Sequence, residues 1–331
     1  MKKVTFFFRP PMKNVFSIET VFDILQNEIS KTYTISSYYC TNKWKRFYSY
    51  FKSMSVTSDI NHITGDIHTI TLFLRGSKTI LTIHDVGALE RGDGGKTKQG
   101  LHKFLFRKLW FDWPLARVKY ITTISEFTKA RILENTKNIS PEKIQVIHNP
   151  AADDFKYSDK DFNCEKPLIL QVGSGEQKNL YRLIEAVKNT SFRLLLVRKP
   201  DPTIEKLLID NNIEYIWHSN ISRSELYDCY CQSDIVYFAS EYEGFGVPIL
   251  EANAVGRPVI TSTVASMPEV AGDSAILVDP FDVDQIKMAL NNLRNNVELR
   301  SQLIQNGAEN LKRFDKELIA AKYVELYKQI D

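Results

Sequence analysis

Three groups of residues in this chain combine types and spacings that could do chemistry. In Ala239-Ser240-Glu241-Tyr242-Glu243-Gly244-Phe245-Gly246-Val247-Pro248-Ile249-Leu250-Glu251, two glutamates eight positions apart bracket a glycine-bearing turn. The glycines let backbone approach a ligand closely, and the N–H groups at a helix start attract phosphate. Pro248 fits such a start, because an N–H in the first turn has no helical partner to lose. Gly244, Phe245, Gly246 and Val247 are therefore expected to present backbone to an anion, with Glu243 in the loop and Glu251 in the first helical turn, both facing one pocket. The second group, Gly173-Ser174-Gly175-Glu176-Gln177-Lys178-Asn179, sets two glycines and a lysine ahead of a helix. Backbone donors plus one cation suit a diphosphate. In the third, Asn61-His62-Ile63-Thr64-Gly65-Asp66 and Thr82-Ile83-His84-Asp85-Val86 place histidines and carboxylates at strand ends, where binding groups concentrate.

Such turns need elements to hold them, and apolar runs of strand length alternate with helical patterns along the whole chain, the signature of parallel α/β sheets. In the first half the runs are Val4–Phe8, Tyr33–Ser37, Asp59–His62, Thr79–His84, Tyr120–Ile124 and Ile144–Ile147, with helices such as Ile18–Ile29 and Glu126–Glu134 between them. In the second half they are Leu168–Val172, Phe192–Val197, Glu214–Trp217, Asp234–Phe238, Pro258–Thr261 and Ala275–Val278. Ser125 and the capping box Ser222-x-x-Glu225 mark helix starts. A polar, proline-punctuated stretch from Asn149 to Pro167 reads as a linker. At 331 residues the chain suits two domains of roughly 150 residues each. We place them at residues 1–150 and 151–314, with 315–331 as a terminal amphipathic helix able to pack back on the first. Ligands of open parallel sheets bind beyond the carboxyl ends of strands, so two such domains facing each other make a cleft. Trp217-His218, at another strand end, is a candidate to flank a base.

The chain is 43% hydrophobic and 25% charged, values that place it among ordinary globular proteins. Its N-terminal apolar run is too short for a secretory signal, and no window approaches the roughly 20 apolar residues of a membrane span, so a cytoplasmic protein is expected. The cysteines, Cys40, Cys164, Cys229 and Cys231, lack zinc spacing and read as free buried or half-buried thiols. Asp282-Val283-Asp284 has the form of a metal-binding D-x-D, but it opens a helical pattern and is better explained as an N-cap, so no metal is assigned. Charge is unevenly spread: residues 1–150 hold 23 Lys and Arg against 12 Asp and Glu, the remainder 20 against 28. A basic half points to an anionic partner. Lys43-Trp44-Lys45-Arg46-Phe47-Tyr48-Ser49-Tyr50-Phe51-Lys52 and Lys103-Phe104-Leu105-Phe106-Arg107-Lys108-Leu109-Trp110-Phe111-Asp112-Trp113 interleave cations with large aromatics, a texture that suits an anionic bilayer surface. The rings cluster rather than pattern as base platforms, and no nucleic-acid module is recognisable.

Glu243-Gly244-Phe245-Gly246-Val247-Pro248-Ile249-Leu250-Glu251 resembles the E-x7-E element of family 4 glycosyltransferases, in a matching strand, loop and helix context. Ile169-Leu170-Gln171-Val172-Gly173 through Lys178-Asn179-Leu180 resembles that family's V-G-x-x-x-x-K-N-L turn. Thr123–Thr128, Lys143–Pro150 and Met267–Gly272 extend the likeness over nearly the whole second domain and the latter half of the first. The resemblance implies a GT-B fold: two Rossmann-like domains with parallel sheets facing a central cleft. It also implies transfer of a hexose-type sugar from a nucleoside diphosphate sugar to a hydroxyl acceptor, with retention and without metal or other cofactor. By this resemblance Glu243, His84 and Lys178 would be catalytic. Glu243 would stabilise positive charge on the sugar, His84 would contact the sugar, and Lys178 would neutralise the leaving diphosphate. Gly173, Ser174, Gly175, Asn179, Trp217, Gly244, Phe245, Gly246, Val247 and Glu251 would bind donor, Glu251 through the ribose hydroxyls, and His62, Asp66 and Asp85 would bind acceptor.

Three departures stand against the family pattern. Ser174 occupies a position where members often carry arginine, His148-Asn149-Pro150 replaces an asparagine-glycine turn, and Arg9-Pro10-Pro11-Met12-Lys13-Asn14 lacks the usual Gly-Gly turn. Resemblance and charge together imply a carbohydrate or lipid-linked glycan acceptor in polysaccharide or lipopolysaccharide synthesis, at the inner face of the cell membrane. The rivals are a nucleotide-sugar epimerase of the same fold and a non-catalytic membrane-attached subunit with a relic donor site.

Overall fold

The computed structural model describes residues 1–10, 17–41, 45–87, 101–136 and 138–330. The chain divides into two units, residues 1–150 with 316–331 and residues 151–315. Each is built on a six-stranded sheet whose strands pair in parallel.

In the first unit the strands are β1 (Lys3–Phe8), β2 (Thr34–Tyr39), β3 (Ile60–Ile63), β4 (Thr79–Ile83), β5 (Tyr120–Thr123) and β6 (Ile144–Val146), ordered β2-β1-β3-β4-β5-β6. Interior strands of a parallel sheet are covered on both faces, which is why β1 reads as a continuous apolar run. Its period of two still sorts the side chains. Phe6 and Phe8 pack with Phe22 and Leu25 of the helix Ser17–Ile29 and with Tyr323 and Tyr327 of the helix Lys316–Lys328. Phe7 enters the opposite layer with Ile63, Leu81, Phe111 and Leu115. The expected strand at Tyr33–Ser37 begins one residue later and runs further, to Tyr39. The Tyr33 N–H still closes the preceding helix on Ile29 O at 3.0 Å, and the ladder opens with Thr34 N–H on Lys2 O at 3.1 Å.

In the second unit the strands are β7 (Leu168–Val172), β8 (Arg193–Val197), β9 (Tyr215–His218), β10 (Ile235–Phe238), β11 (Val259–Ser262) and β12 (Ala275–Val278), ordered β12-β11-β10-β7-β8-β9. The caps read from sequence form. Ser125 accepts from Thr128 N at 3.1 Å, and Ser222 and Glu225 make the reciprocal box. Asp282 accepts from Gln285 N at 3.0 Å at the start of the helix Val283–Asn295, the role preferred for the D-x-D. Of the cysteines, Cys40 and Cys229 are buried and Cys231 is half-buried, but Cys164, expected to be at least half-buried, is exposed.

Strand order dictates where each sheet can hold a ligand. In the second unit successive strands run outward from β7 through β8 to β9, then return to β10 on the other side of β7 and continue through β11 to β12. The connections after β7 and β10 diverge to opposite faces and leave a crevice at their carboxyl ends. The first unit has the same reversal between β1 and β3.

Candidate functional site

Both glycine-bearing turns of the second unit fall at the β7/β10 reversal. After β7, Gly173 has φ +102°, and a Cβ there would lie 2.9 Å from Lys178 Cε, so the lysine side chain folds over a backbone that only glycine permits. Lys178 Nζ reaches Glu243 Oε1 at 2.6 Å and stands 4.8 Å from the centre of the Phe238 ring. Both side chains of the pair are mostly buried but retain solvent access. The loop carrying Glu243 is pinned from below: Ser266 Oγ donates to the carbonyls of Glu243 at 3.0 Å and Phe245 at 2.5 Å. Gly246, with φ +130°, then opens the helix Val247–Val255, whose first turn holds Pro248. The two loops are tied directly by Glu241 N donating to Gln177 O at 2.8 Å.

Four of the residues expected to bind donor have partners within the protein. Asn179, read as a donor contact, is 1% exposed in the left-handed conformation with φ +58°. Its Nδ2 faces Pro280 O at 2.7 Å, Ala239 O at 3.0 Å and Tyr237 Oη at 3.3 Å, while its Oδ1 accepts from Arg182 at 2.8 Å. It braces the loops after β7, β10 and β12, with both amide hydrogens engaged within the protein. Glu251 lies in the second turn, not the first, because the helix starts at Val247. The same carboxylate is already bonded, to Arg223 through Oε1 and to the Tyr230 hydroxyl through Oε2 at 2.7 Å. Trp217 packs half-buried against the core and gives its indole N–H to Arg198 O at 3.1 Å. Ser174 Oγ accepts from Lys199 N at 2.9 Å and thereby fastens the turn after β7 to the loop after β8.

Sequence reading missed the charged assembly around Glu251. Arg223 bonds Asp154 at 2.7 and 3.2 Å as well as Glu251. Burial opposes the Arg223 charge, but the two carboxylates outweigh it and raise its pKa, while burial and the Glu251 charge hold the Tyr230 hydroxyl protonated. The only sequence signal was an arginine inside the capping box, one residue after Ser222.

In the first unit, Asp66 and His84 gather near the β1/β3 reversal. Arg9, directly after β1, makes a bidentate pair with Glu19 at 2.9 and 3.2 Å and bonds Asp66 at 2.7 Å. Burial works against its charge, but these carboxylates raise its pKa. His84 is half-buried with Nε2 2.6 Å from Thr64 O. A carbonyl only accepts, so Nε2 carries the proton and Nδ1 keeps the lone pair. Burial lowers the His84 pKa and keeps the ring neutral. The ring lies on Gly65, with φ +137°, where a Cβ would stand 2.7 Å from His84 Cδ2. Asp85 is exposed and accepts from Gly87 N at 2.8 Å. His62 is not a binding residue. It is fully buried, with Nδ1 2.6 Å from Tyr327 Oη and Nε2 2.7 Å from Thr82 Oγ1, and burial pulls its pKa down to about 3. Of the Arg9–Asn14 loop, residues 11–14 lie outside the described residues.

The aromatic stretches of the first unit are only partly core. Tyr50 and Phe111 are buried, but Phe47, Tyr48 and Phe51 on the helix Arg46–Ser53 are 74, 67 and 63% exposed. Phe104, Leu105, Leu109 and Trp113, further along, are exposed too. Both stretches flank the short helix His68–Phe73, through Phe47 on Phe73 with ring centres 5.4 Å apart and Trp110 on His68 at 5.4 Å. Lys43 and Trp44 lie outside the described residues. Among the described residues no helix is long and apolar enough to cross a membrane, and no group of three or more His, Cys, Asp or Glu could hold a metal ion.

Residues 153–310 match the family model described as glycosyl transferases group 1. The chain is 27% identical over 227 residues to MMP alpha-(1->4)-mannosyltransferase of Mycolicibacterium hassiacum, a match covering 64% of this chain and 54% of that protein. It thus spans about half the length of that relative. It is 28% identical over 258 residues to O-antigen chain mannosyltransferase RfbU of Salmonella typhimurium, covering 74% of this chain and 69% of the relative. Among solved structures it shares the fold of Anabaena Alr3699/HepE, crystallised with UDP and glucose, with TM-score 0.75 at 14% identity over 99% of this chain and 100% of that one. The fold is the two-domain, Rossmann-like GT-B fold.

Proposed function

The chain belongs, through its second unit, to the group 1 glycosyl transferases, and from that premise we propose that it transfers a hexose from a nucleoside diphosphate sugar to a hydroxyl acceptor. The observation that carries this reading is the Lys178–Glu243 pair at the β7/β10 reversal, set between two glycine turns and a helix start. In the pair as it stands, Glu243 neutralises the lysine. An arriving diphosphate takes its place, because a phosphate offers Lys178 more charge and more acceptors than a carboxylate. Glu243 is then released to stabilise positive charge developing on the sugar, and the N–H groups opening the helix Val247–Val255 receive the phosphate. The acceptor oxygen bonds the anomeric carbon as the bond to the diphosphate breaks. The acceptor's proton passes to the departing phosphate oxygen on the same face, so configuration is retained. No metal or other cofactor takes part in this scheme, with Lys178 and backbone donors carrying the charge. His84, Asp66, Asp85 and the Arg9 cluster at the first unit's reversal receive the acceptor.

The names of the mannosyltransferase relatives and the basic first unit support a carbohydrate or lipid-linked glycan acceptor in polysaccharide or lipopolysaccharide synthesis. The exposed rings of Phe47, Tyr48, Phe51, Phe104 and Trp113 beside lysines and arginines support peripheral attachment to an anionic membrane surface, at the cytoplasmic face. The test is turnover of a panel of UDP- and GDP-sugars without added metal, with the anomeric configuration of any product followed by NMR. Retained configuration is expected, and an inverted product would refute the same-face step.

A further inference from the structure

A cavity of about 230 Å³ lies on the other flank of the turn that carries Lys178. Its polar lining is Ser174, Gly175 and the Glu176 carboxylate after β7, Tyr181 on the helix Leu180–Val187, and Arg198, Lys199 and Asp201 after β8. Arg198 is the unusual member. Its side chain is only 6% exposed, and its Nε is buried without a hydrogen-bond partner. Its nearest carboxylate, Asp201, stands 3.8 Å from Nη2 and is already engaged, accepting from Thr203 N at 3.0 Å and Ile204 N at 3.4 Å to cap the helix Pro202–Asp210. A buried charge left so weakly paired lowers stability, and buried polar groups are otherwise satisfied almost everywhere. Burial, the dominant influence, accordingly lowers the Arg198 pKa. Such a group lining an open cavity is poised for an anion from outside. The cavity is smaller than the roughly 300–1,000 Å³ that holds a whole drug-sized ligand, so it suits one compact charged group.

We propose that this cavity is a phosphoryl-binding subsite in which Arg198 is the recognising cation, assisted by Lys199 and the Tyr181 hydroxyl. The phosphoryl group has two sources: the nucleotide donor of the second unit, reached across the turn Ser174–Gly175, or a free phosphate bound beside it. The inference concerns Arg198 and stands apart from the role given to Lys178.

The test is titration calorimetry of wild type, Arg198→Gln and Lys178→Ala with inorganic pyrophosphate, inorganic phosphate, UDP and GDP. Losing a charged hydrogen-bond donor is expected to weaken binding about 10- to 100-fold. If Arg198→Gln weakens UDP or GDP binding, the subsite belongs to the donor. If it weakens only phosphate or pyrophosphate, the subsite takes a free anion. The proposal is overturned if Arg198→Gln, folded as judged by its melting midpoint, binds all four as wild type does. If Lys178→Ala binds nucleotide normally while Arg198→Gln does not, the donor-site reading fails and this one stands. Should the glutamine variant not fold, Asp201→Asn decides: asparagine still caps the helix, and removing the competing carboxylate must tighten phosphate binding, an unchanged affinity overturning the proposal.

Discussion

Replacing Asn179 with alanine should loosen the site's foundation by an amount the structure lets one work out. The Nδ2 group faces three acceptors but has two hydrogens, so it serves two at a time, the shorter contacts to Pro280 O at 2.7 Å and Ala239 O at 3.0 Å being favoured. With the bond accepted from Arg182, the substitution deletes three hydrogen bonds. At about 1 kcal/mol each, that is about 3 kcal/mol. Alanine must also hold φ +58°, which asparagine tolerates better, adding about 1 kcal/mol. Asn179→Gly removes the same bonds and is free of the backbone cost, so it should sit about 1 kcal/mol above the alanine variant. For a unit of this size each kcal/mol moves the melting midpoint by about 2–4 °C. The alanine variant should therefore melt about 8–16 °C below wild type by differential scanning calorimetry. A loss under about 2 °C, or a glycine variant less stable than the alanine one, would show that Asn179 is not the brace.

Gly65→Ala should cost about 1–3 kcal/mol, since its Cβ meets the His84 ring at 2.7 Å on a backbone with φ +137°. Transfer should fall with it if His84 serves the acceptor, whereas full activity with a lowered midpoint would confine that histidine to packing. The His62 pKa of about 3 gives a pH signature. The folded value lies below the unfolded value of about 6.5, so the unfolded chain binds the extra proton. Stability is then full above pH 6.5 and declines as pH falls towards 3, by about 2 kcal/mol at pH 5. In His62→Gln, denaturant midpoints should lose less between pH 7 and pH 5 than in wild type, and an equal loss would assign the decline to other groups. Changing Phe47, Phe51 and Trp113 together to serine should abolish salt-sensitive cosedimentation with anionic vesicles while leaving the fold intact, since all three are exposed. Binding that persists in the triple variant would remove these rings from the membrane account.

The strands were legible because burial on both faces of a parallel sheet demands unbroken apolar runs, and Val4–Phe8 or Leu168–Val172 can hardly be anything else. The caps at Ser125, Ser222 and Asp282 were legible because their chemistry is local. Side-chain direction was not. His62 and His84 both sit at strand ends. The pleat and the terminal helix send His62 into the core against Tyr327, while His84 falls beyond its strand and rests on Gly65. Asn179 and Glu251 show the same limit: the motif gives their place along the chain, but partners contributed by Tyr237, Pro280, Arg223 and Tyr230, distant in sequence, decide which of their polar atoms are engaged. Arg9 and Arg198 were passed over because an arginine after a strand is commonplace until strand order shows what lies beside it.

The central claim, that the β7/β10 reversal binds a nucleoside diphosphate through Lys178, is tested most directly by a thermal-shift panel of nucleoside diphosphates and their sugars, without added metal, on wild type and Lys178→Ala. A ligand that binds only the folded state at 100 times its Kd stabilises by about 2.7 kcal/mol. One diphosphate family should raise the wild-type midpoint and lose most of its effect in the variant. A panel that shifts both proteins equally would contradict the account.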